Sequence, residues 1–439
     1  MRRLIPAILL TFFSGVGGAM EADIQEWETE SGSRVLFVER HELPIIDIRL
    51  AFDAGSARDD GQAGLARMTS NLLLEGTSDR NAGEIAREFE RYGARASTDS
   101  GRDTGQVSVR ALSEAERLDP VIDNMADVIA HADFPGHAVD RVRQQMLLGL
   151  QQAESSASSL AEKAFARAIY GDHPYASPPG GTLESVEAID RQAVVDFHQR
   201  YYTASNATIS IVGDLDRARA EEIAERLSAA LPEGQPPASL PEVELPEAPQ
   251  TVRIPFEAGQ THVIIGQPSV RQGSDAYYPL YLGNHILGGG GLTSILAERM
   301  REERGLSYSS SSRITSGARR GRFQMSTQVR NDALGEALGV MRDSLDELRD
   351  EGPSAERLDA SKRNITGGFP LQLDSNRDLL GYVTSIGFHD LPHDYLQRFV
   401  DRIDSLGGDD VRSALQAHLD PARSVTVLVG PEATINGVE

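Results

Sequence analysis

Asn206-Ala207-Thr208-Ile209-Ser210-Ile211-Val212-Gly213-Asp214 stands near the end of the first half of this chain, and Ser424-Val425-Thr426-Val427-Leu428-Val429-Gly430-Pro431 near the end of the second. Both are β-branched apolar runs closing on glycine, the pattern of a strand followed by a turn. Their glycines are 217 positions apart. A second pair repeats almost the same distance. Gln106-Val107-Ser108-Val109 leads into an apolar-periodic helix beginning near Ser113, and 218 positions later Gln324-Met325-Ser326-Thr327 leads into another beginning near Asp332. Two agreeing offsets predict a duplicated unit.

Between the copies lies LPEGQPPASLPEVELPEAPQ, residues 231–250, with six prolines and no helical or strand periodicity. It reads as an extended linker between a domain over 23–230 and another over 251–439. Within the first copy, alternating strands at Val35–Val38 and Ile46–Phe52 are followed by an amphipathic helix over Gly83–Tyr92. Strands and helices cluster rather than alternate strictly, which predicts a layered α+β unit.

Composition limits the functions available. The 439 residues, 40% of them hydrophobic, suffice for roughly two to four compact units. The formal charge of −23 argues against nucleic acid or an anionic membrane surface as partner. Cysteine is absent, which excludes disulfides, a thiol nucleophile and thiolate metal sites. The first residues, Met1-Arg2-Arg3 followed by an apolar run from Leu4 to Phe13 and small residues through Ala19, form a signal-peptide pattern over 1–19. Cleavage is expected near Ala19 or Ala22, in a periplasmic or otherwise exported protein. Ten apolar positions interrupted by Pro6 fall short of the roughly 20 needed to span a bilayer, so stable membrane insertion is not expected. Loss of residues 1–19 removes two arginines and no acid, leaving −25.

Gly64-Leu65-Ala66-Arg67-Met68-Thr69-Ser70-Asn71-Leu72-Leu73-Leu74-Glu75-Gly76-Thr77 resembles the signature region of the pitrilysin/insulinase family of zinc peptidases. There the motif His-x-x-Glu-His would occupy positions 67 to 71. Two histidines four apart share one helix face and bind zinc together, and the glutamate polarises the metal-bound water. This chain has Arg67, Ser70 and Asn71 instead. A guanidinium has no lone pair to offer a metal, and a hydroxyl is no carboxylate base. The family's third ligand is a glutamate somewhat under eighty residues on, and no glutamate occurs from Arg117 to Ala153. His389 and His393, four apart, flank Pro392, which rules against a shared helix face and leaves two loop histidines. Further likeness lies in Glu84–Thr98, Gly171–Tyr175, Tyr201–Asp214 and Gly367–Leu396, so it spans nearly the whole mature chain.

The resemblance implies two homologous layered α/β sandwich domains forming one half of a clam-shell chamber. It also singles out residues in the second half. Gly288, Gly289, Gly290 and Gly291 resemble the family's substrate-contacting glycine-rich loop, followed by Thr293 and Ser294 as candidate caps of a helix ending at Gly305. No Gly-Lys-Ser/Thr follows, so this is no phosphate loop. Arg301 and Tyr308, seven apart, match the family's Arg/Tyr pair; they are expected on the last helical turn and on the next strand with Leu306. Both side chains donate hydrogen bonds and could stabilise the oxyanion of peptide hydrolysis.

The implied function is the non-zinc subunit of a heterodimeric metalloendopeptidase, like the divided bacterial members and mitochondrial processing peptidase. A homologous zinc-bearing subunit would be the partner and an extended peptide the substrate. No cofactor is expected in this chain, the zinc lying in the partner. The alternatives are a structural or peptide-binding subunit, as in the core proteins of respiratory complexes, and an autonomous peptidase, which positions 67, 70 and 71 oppose.

Overall fold

A computed structural model describes residues 23–438; the expected leader over 1–19 and its cleavage at Ala19 or Ala22 lie outside the described residues. Two mixed sheets organise the chain. The first contains β1 (Gln25–Glu28), β2 (Arg34–Glu39), β3 (Ile45–Phe52), β4 (Arg95–Ser100), β5 (Gly105–Leu112) and β6 (Ala207–Gly213), in the order β1-β2-β6-β3-β5-β4. The second contains β7 (Gln250–Pro255), β8 (Gln260–Pro268), β9 (Ser310–Ile314), β10 (Arg322–Arg330) and β11 (Val425–Gly430), in the order β7-β11-β8-β10-β9. Apart from the added β1, the two orders are identical.

The register is repeated as well. Val212 pairs with Asp47 in one sheet, and Val429, 217 positions later, pairs with His262 in the other. Gly105 pairs with Phe52, and Phe323, 218 positions later, pairs with Gln267. The offsets in the sequence are therefore offsets of the ladder, and each copy contains one parallel pair, β2 with β6 and β7 with β11. The two anticipated helices begin at Ala115 and Leu334.

Each sheet buries one face on helices of its own half. Its other face is covered partly by a helix from the opposite half. Helix Ala157–Tyr170 belongs to the first half but lies on β11, β8 and β7, where Ala161, Phe165 and Ile169 meet Ile264, Val425 and Val427. Helix Asn376–Phe388 belongs to the second half but lies on β6, β3 and β2, where its apolar residues join Leu36, Val38 and Val212. Glycines permit both close crossings: a Cβ on Gly387 would stand 2.4 Å from Leu36, and one on Gly266 would stand 2.9 Å from Phe165. The halves thus exchange one helix each.

Residues 231–249 contain no helix or strand. They are nonetheless tied down. Leu240 and Val243 are buried, the Ala238 carbonyl accepts from Arg58, and the Leu240 carbonyl accepts from Arg319 at 2.7 Å. Among the described residues no helix is long and apolar enough to cross a membrane.

Candidate functional site

The helix Leu65–Leu72 carries the three positions of the zinc-type motif. Gly64, at φ +94°, turns the chain into it. Its N-terminal amides, buried and free of helical partners, are met by Asp59, whose carboxylate accepts from Gly64 N at 2.9 Å and Ala66 N at 2.8 Å, with Ser177 Oγ at 3.3 Å. Burial pushes the Asp59 carboxyl up to about 7 against the pull of those donors. Leu65, Met68 and Leu72 bury the inner face. On the outer side Arg67 reaches the edge strand and pairs with Asp99 at 3.3 Å. Asn71 is exposed, while Ser70 is fully buried with no hydrogen-bond partner for its hydroxyl. Helix Gly136–Glu154 packs alongside, with Met146, Leu147 and Leu150 against the same core.

The second half supplies the other candidate residues. Helix Tyr277–Asn284 runs into a π-helical turn, His285–Gly289, and Gly288 in it presses on β9. A Cβ on Gly288 would lie 2.3 Å from Ser312 N, and one on Gly290 would lie 2.8 Å from the His285 carbonyl oxygen. Gly291 adopts φ +65°. The glycine run is therefore a packed corner shaped by close approach and one left-handed residue. Ser294 accepts from Ala297 N at 3.4 Å and starts the helix expected there, which widens into a second π-helical stretch, Glu298–Glu303. Such stretches are rare and concentrate at functional sites.

Arg301 sits in that stretch. Gly305, at φ +60°, reverses the chain, and the Met300 carbonyl accepts from Leu306 N at 2.7 Å. Arg301 Cζ then lies 4.9 Å from the centre of the Tyr308 ring, within cation–π range. One expectation needs correcting. Leu306 and Tyr308 are not in the strand, which begins at Ser310, because the Ser307 and Ser309 region is looped by side-chain bonds. Ser307 Oγ donates to the Ser309 carbonyl at 2.7 Å and accepts from Ser309 N at 3.1 Å and from Thr327 Oγ1 at 2.9 Å. The loop projects Tyr308 outward, 84% exposed. Among the described residues no hydrogen bond or ion pair engages the Arg301 guanidinium or the Tyr308 hydroxyl, so both donors face solvent unspent.

Residues 34–182 match the model of the insulinase family, peptidase family M16, and residues 188–365 match that of the peptidase M16 inactive domain. A crystal structure of a peptidase M16 inactive domain from Pseudomonas fluorescens is 35% identical, with a TM-score of 0.90 over 93% of this chain and 98% of that one. This chain belongs to peptidase family M16. Among its M16 relatives is a protein of Helicobacter pylori described as a non-peptidase homolog, YmxG, 24% identical over 96% of each chain. Another, from Bacillus subtilis, is described as an uncharacterized zinc protease, YmxG; it is 22% identical over 80% of this chain and 85% of that one.

The M16 zinc does not fit the residues present. Arg67 is a cation bonded to Asp99, Ser70 is sealed in the core, and apolar side chains occupy the flank of the neighbouring helix. Among the described residues no three His, Cys, Asp or Glu side chains gather into a possible metal site. His389 caps helix Asn376–Phe388 and His393 pairs with Glu26, so those two histidines serve the fold. Sequence reading passed over Asp59 and the Ser307–Thr327 bonds. The spacing Ser307-Tyr308-Ser309 was a usable signal, since serine readily loops the backbone two residues on.

Proposed function

We propose that this M16 chain is the non-zinc subunit of a two-chain metalloendopeptidase, with the zinc in a homologous partner. The observation that carries this is the Arg301–Tyr308 pair, assembled and exposed in a chain whose metal positions are Arg67, Ser70 and Asn71. Arg301 and Tyr308 would donate to the scissile carbonyl oxygen as it gains charge, and the packed corner Gly288–Gly291 would line the substrate path. Each such donor typically contributes about 10² to 10³ in rate. On the leader pattern of residues 1–19, the complex is proposed to work outside the cytoplasm.

The test mixes this chain with a homologous chain of similar length bearing His-x-x-Glu-His and follows peptide cleavage. The mixture should cleave, each chain alone should not, and Arg301→Ala or Tyr308→Phe should reduce cleavage about 10²-fold or more. Undiminished cleavage by the partner alone would leave this chain a structural role. Stoichiometric zinc in the purified chain would defeat the reading altogether.

A further inference from the structure

Helix Asn376–Phe388 touches β2, β6 and β3, leaving β5 and β4 open on the same face of the first sheet. The register fixes which side chains stand there. Asp47 lies opposite Arg110, and Arg110 opposite Arg95. In the next row Arg49 lies opposite Ser108, and Ser108 opposite Ser97. Directly paired residues share a face, so these rows form one polar strip running to the free edge of β4.

The charges on the strip do not balance. Asp47 is consumed by Arg110, which donates from Nε and Nη2 at 2.8 Å each, and Asp99 is drawn to Arg67 at the edge. Among the described residues, Arg49 donates to Ser108 Oγ at 3.0 Å and forms no ion pair, and neither do Arg95 on β4 and Arg377 at the start of the covering helix. Asp378, near Arg110, accepts from Ser375 Oγ at 2.5 Å. Among the described residues, three arginines here therefore stand without an ion pair, on a protein of formal charge −23. Burial works against the charged form of Arg49, and the nearby Arg377 adds to that, opposed by Asp47 and Asp99. On the second sheet the corresponding strip has the same sign: Arg313 is exposed on β9, and Arg322 shares Glu162 at 2.8 Å.

Resting on the reading of this chain as a peptide-holding subunit, we infer that the strip carrying Arg49, Arg95 and Arg377 binds acidic stretches of an extended peptide. Guanidinium groups hold carboxylates by paired, charge-assisted hydrogen bonds, and those made by the half-buried Arg49 are stronger than in open water. The acidic exterior does not prevent this, because charges beyond about 8 Å are screened at physiological salt. Aspartate and glutamate side chains, rather than lysine or arginine, therefore select the substrate on this wall.

The test is fluorescence anisotropy of the full chain with labelled Glu-rich, Gln-rich and Lys-rich peptides of one length at physiological salt. The Glu-rich peptide should bind at least about tenfold more tightly than the Gln-rich one, roughly the contribution of one such pair. The double variant Arg95→Gln/Arg377→Gln, at two exposed positions that leave the core intact, should lose about tenfold on the Glu-rich peptide alone. Arg91→Gln, on an outer helix surface, should lose nothing. Equal binding of the Glu-rich and Gln-rich peptides, or a double variant that binds like the parent, overturns the inference. A partner mixture that cleaves neutral and acidic peptides equally defeats this inference and leaves the two-chain reading standing. Charge-selective binding by a chain that no partner activates does the reverse.

Discussion

Asp59 gives the helix of the lost metal motif a pH-dependent anchor. Its carboxyl is 2% exposed and is raised from 3.8 to about 7, chiefly because burial penalises the charged form. A group that binds its proton more tightly when folded contributes stability that is complete below pH 3.8 and is lost as pH rises through 7. Roughly three pH units at 1.36 kcal/mol each amount to about 4 kcal/mol. Asp59→Asn preserves shape and one acceptor oxygen but cannot titrate, so it loses a backbone bond of about 1 kcal/mol at every pH. Urea unfolding followed by the single Trp27, on β1, should show the parent losing up to about 4 kcal/mol relative to the variant between pH 4 and pH 7.5. A difference constant with pH would refute the burial argument. A parent that gains stability with rising pH would show that the amide donors outweigh burial.

His198 should act in the opposite sense. Burial lowers it from 6.5 to about 4, and its Nε2 bonds the Ile129 carbonyl at 3.0 Å, so about 3 kcal/mol present above pH 6.5 should be lost as pH falls through 4, and the slope should vanish in His198→Gln. Gly288→Ala forces a methyl to 2.3 Å from Ser312 N and should cost about 1–3 kcal/mol in thermal melts, together with the stimulation of a zinc-bearing partner. Gly291→Asn, where an added Cβ meets nothing within 4 Å and only a positive φ must be held, should cost less than about 1 kcal/mol. Phe165→Ala should cost about 3–5 kcal/mol. Because Phe165 covers the second sheet while Trp27 reports from the first, equal shifts by fluorescence and circular dichroism would show one cooperative unit, and separate transitions would refute the exchange as a mechanical link.

Much of the architecture was legible because sheet register is a periodic property. Offsets of 217 and 218 at two short strings correspond to Val212/Val429 and Gly105/Phe323 holding equivalent places in their ladders. The departure from the zinc motif was legible because it concerns residue chemistry at three helical positions, Arg67, Ser70 and Asn71. The helix exchange was not, since Ala157–Tyr170 has the same amphipathic character whichever sheet it covers. The π-helical stretches and the loop that projects Tyr308 were likewise hidden, because they depend on backbone bonds closed by Gly305, Met300 and Ser307. The cationic strip needed the pairing of Arg49 and Ser108 to put distant residues on one surface.

The traded helices also constrain how this chain can come into being. On emergence from the ribosome, the first sheet has all of its strands once residue 213 is available, yet it cannot close its outer face until Asn376–Phe388 has been synthesised. Helix Ala157–Tyr170 waits still longer, because its central strand β11 ends at Gly430. The early half is thus a nascent intermediate with exposed apolar surface rather than a finished domain, a state that invites chaperone capture. Under the proposal that this chain works outside the cytoplasm, such postponement would be an asset, because the fold completes only once its last strand, β11, is available.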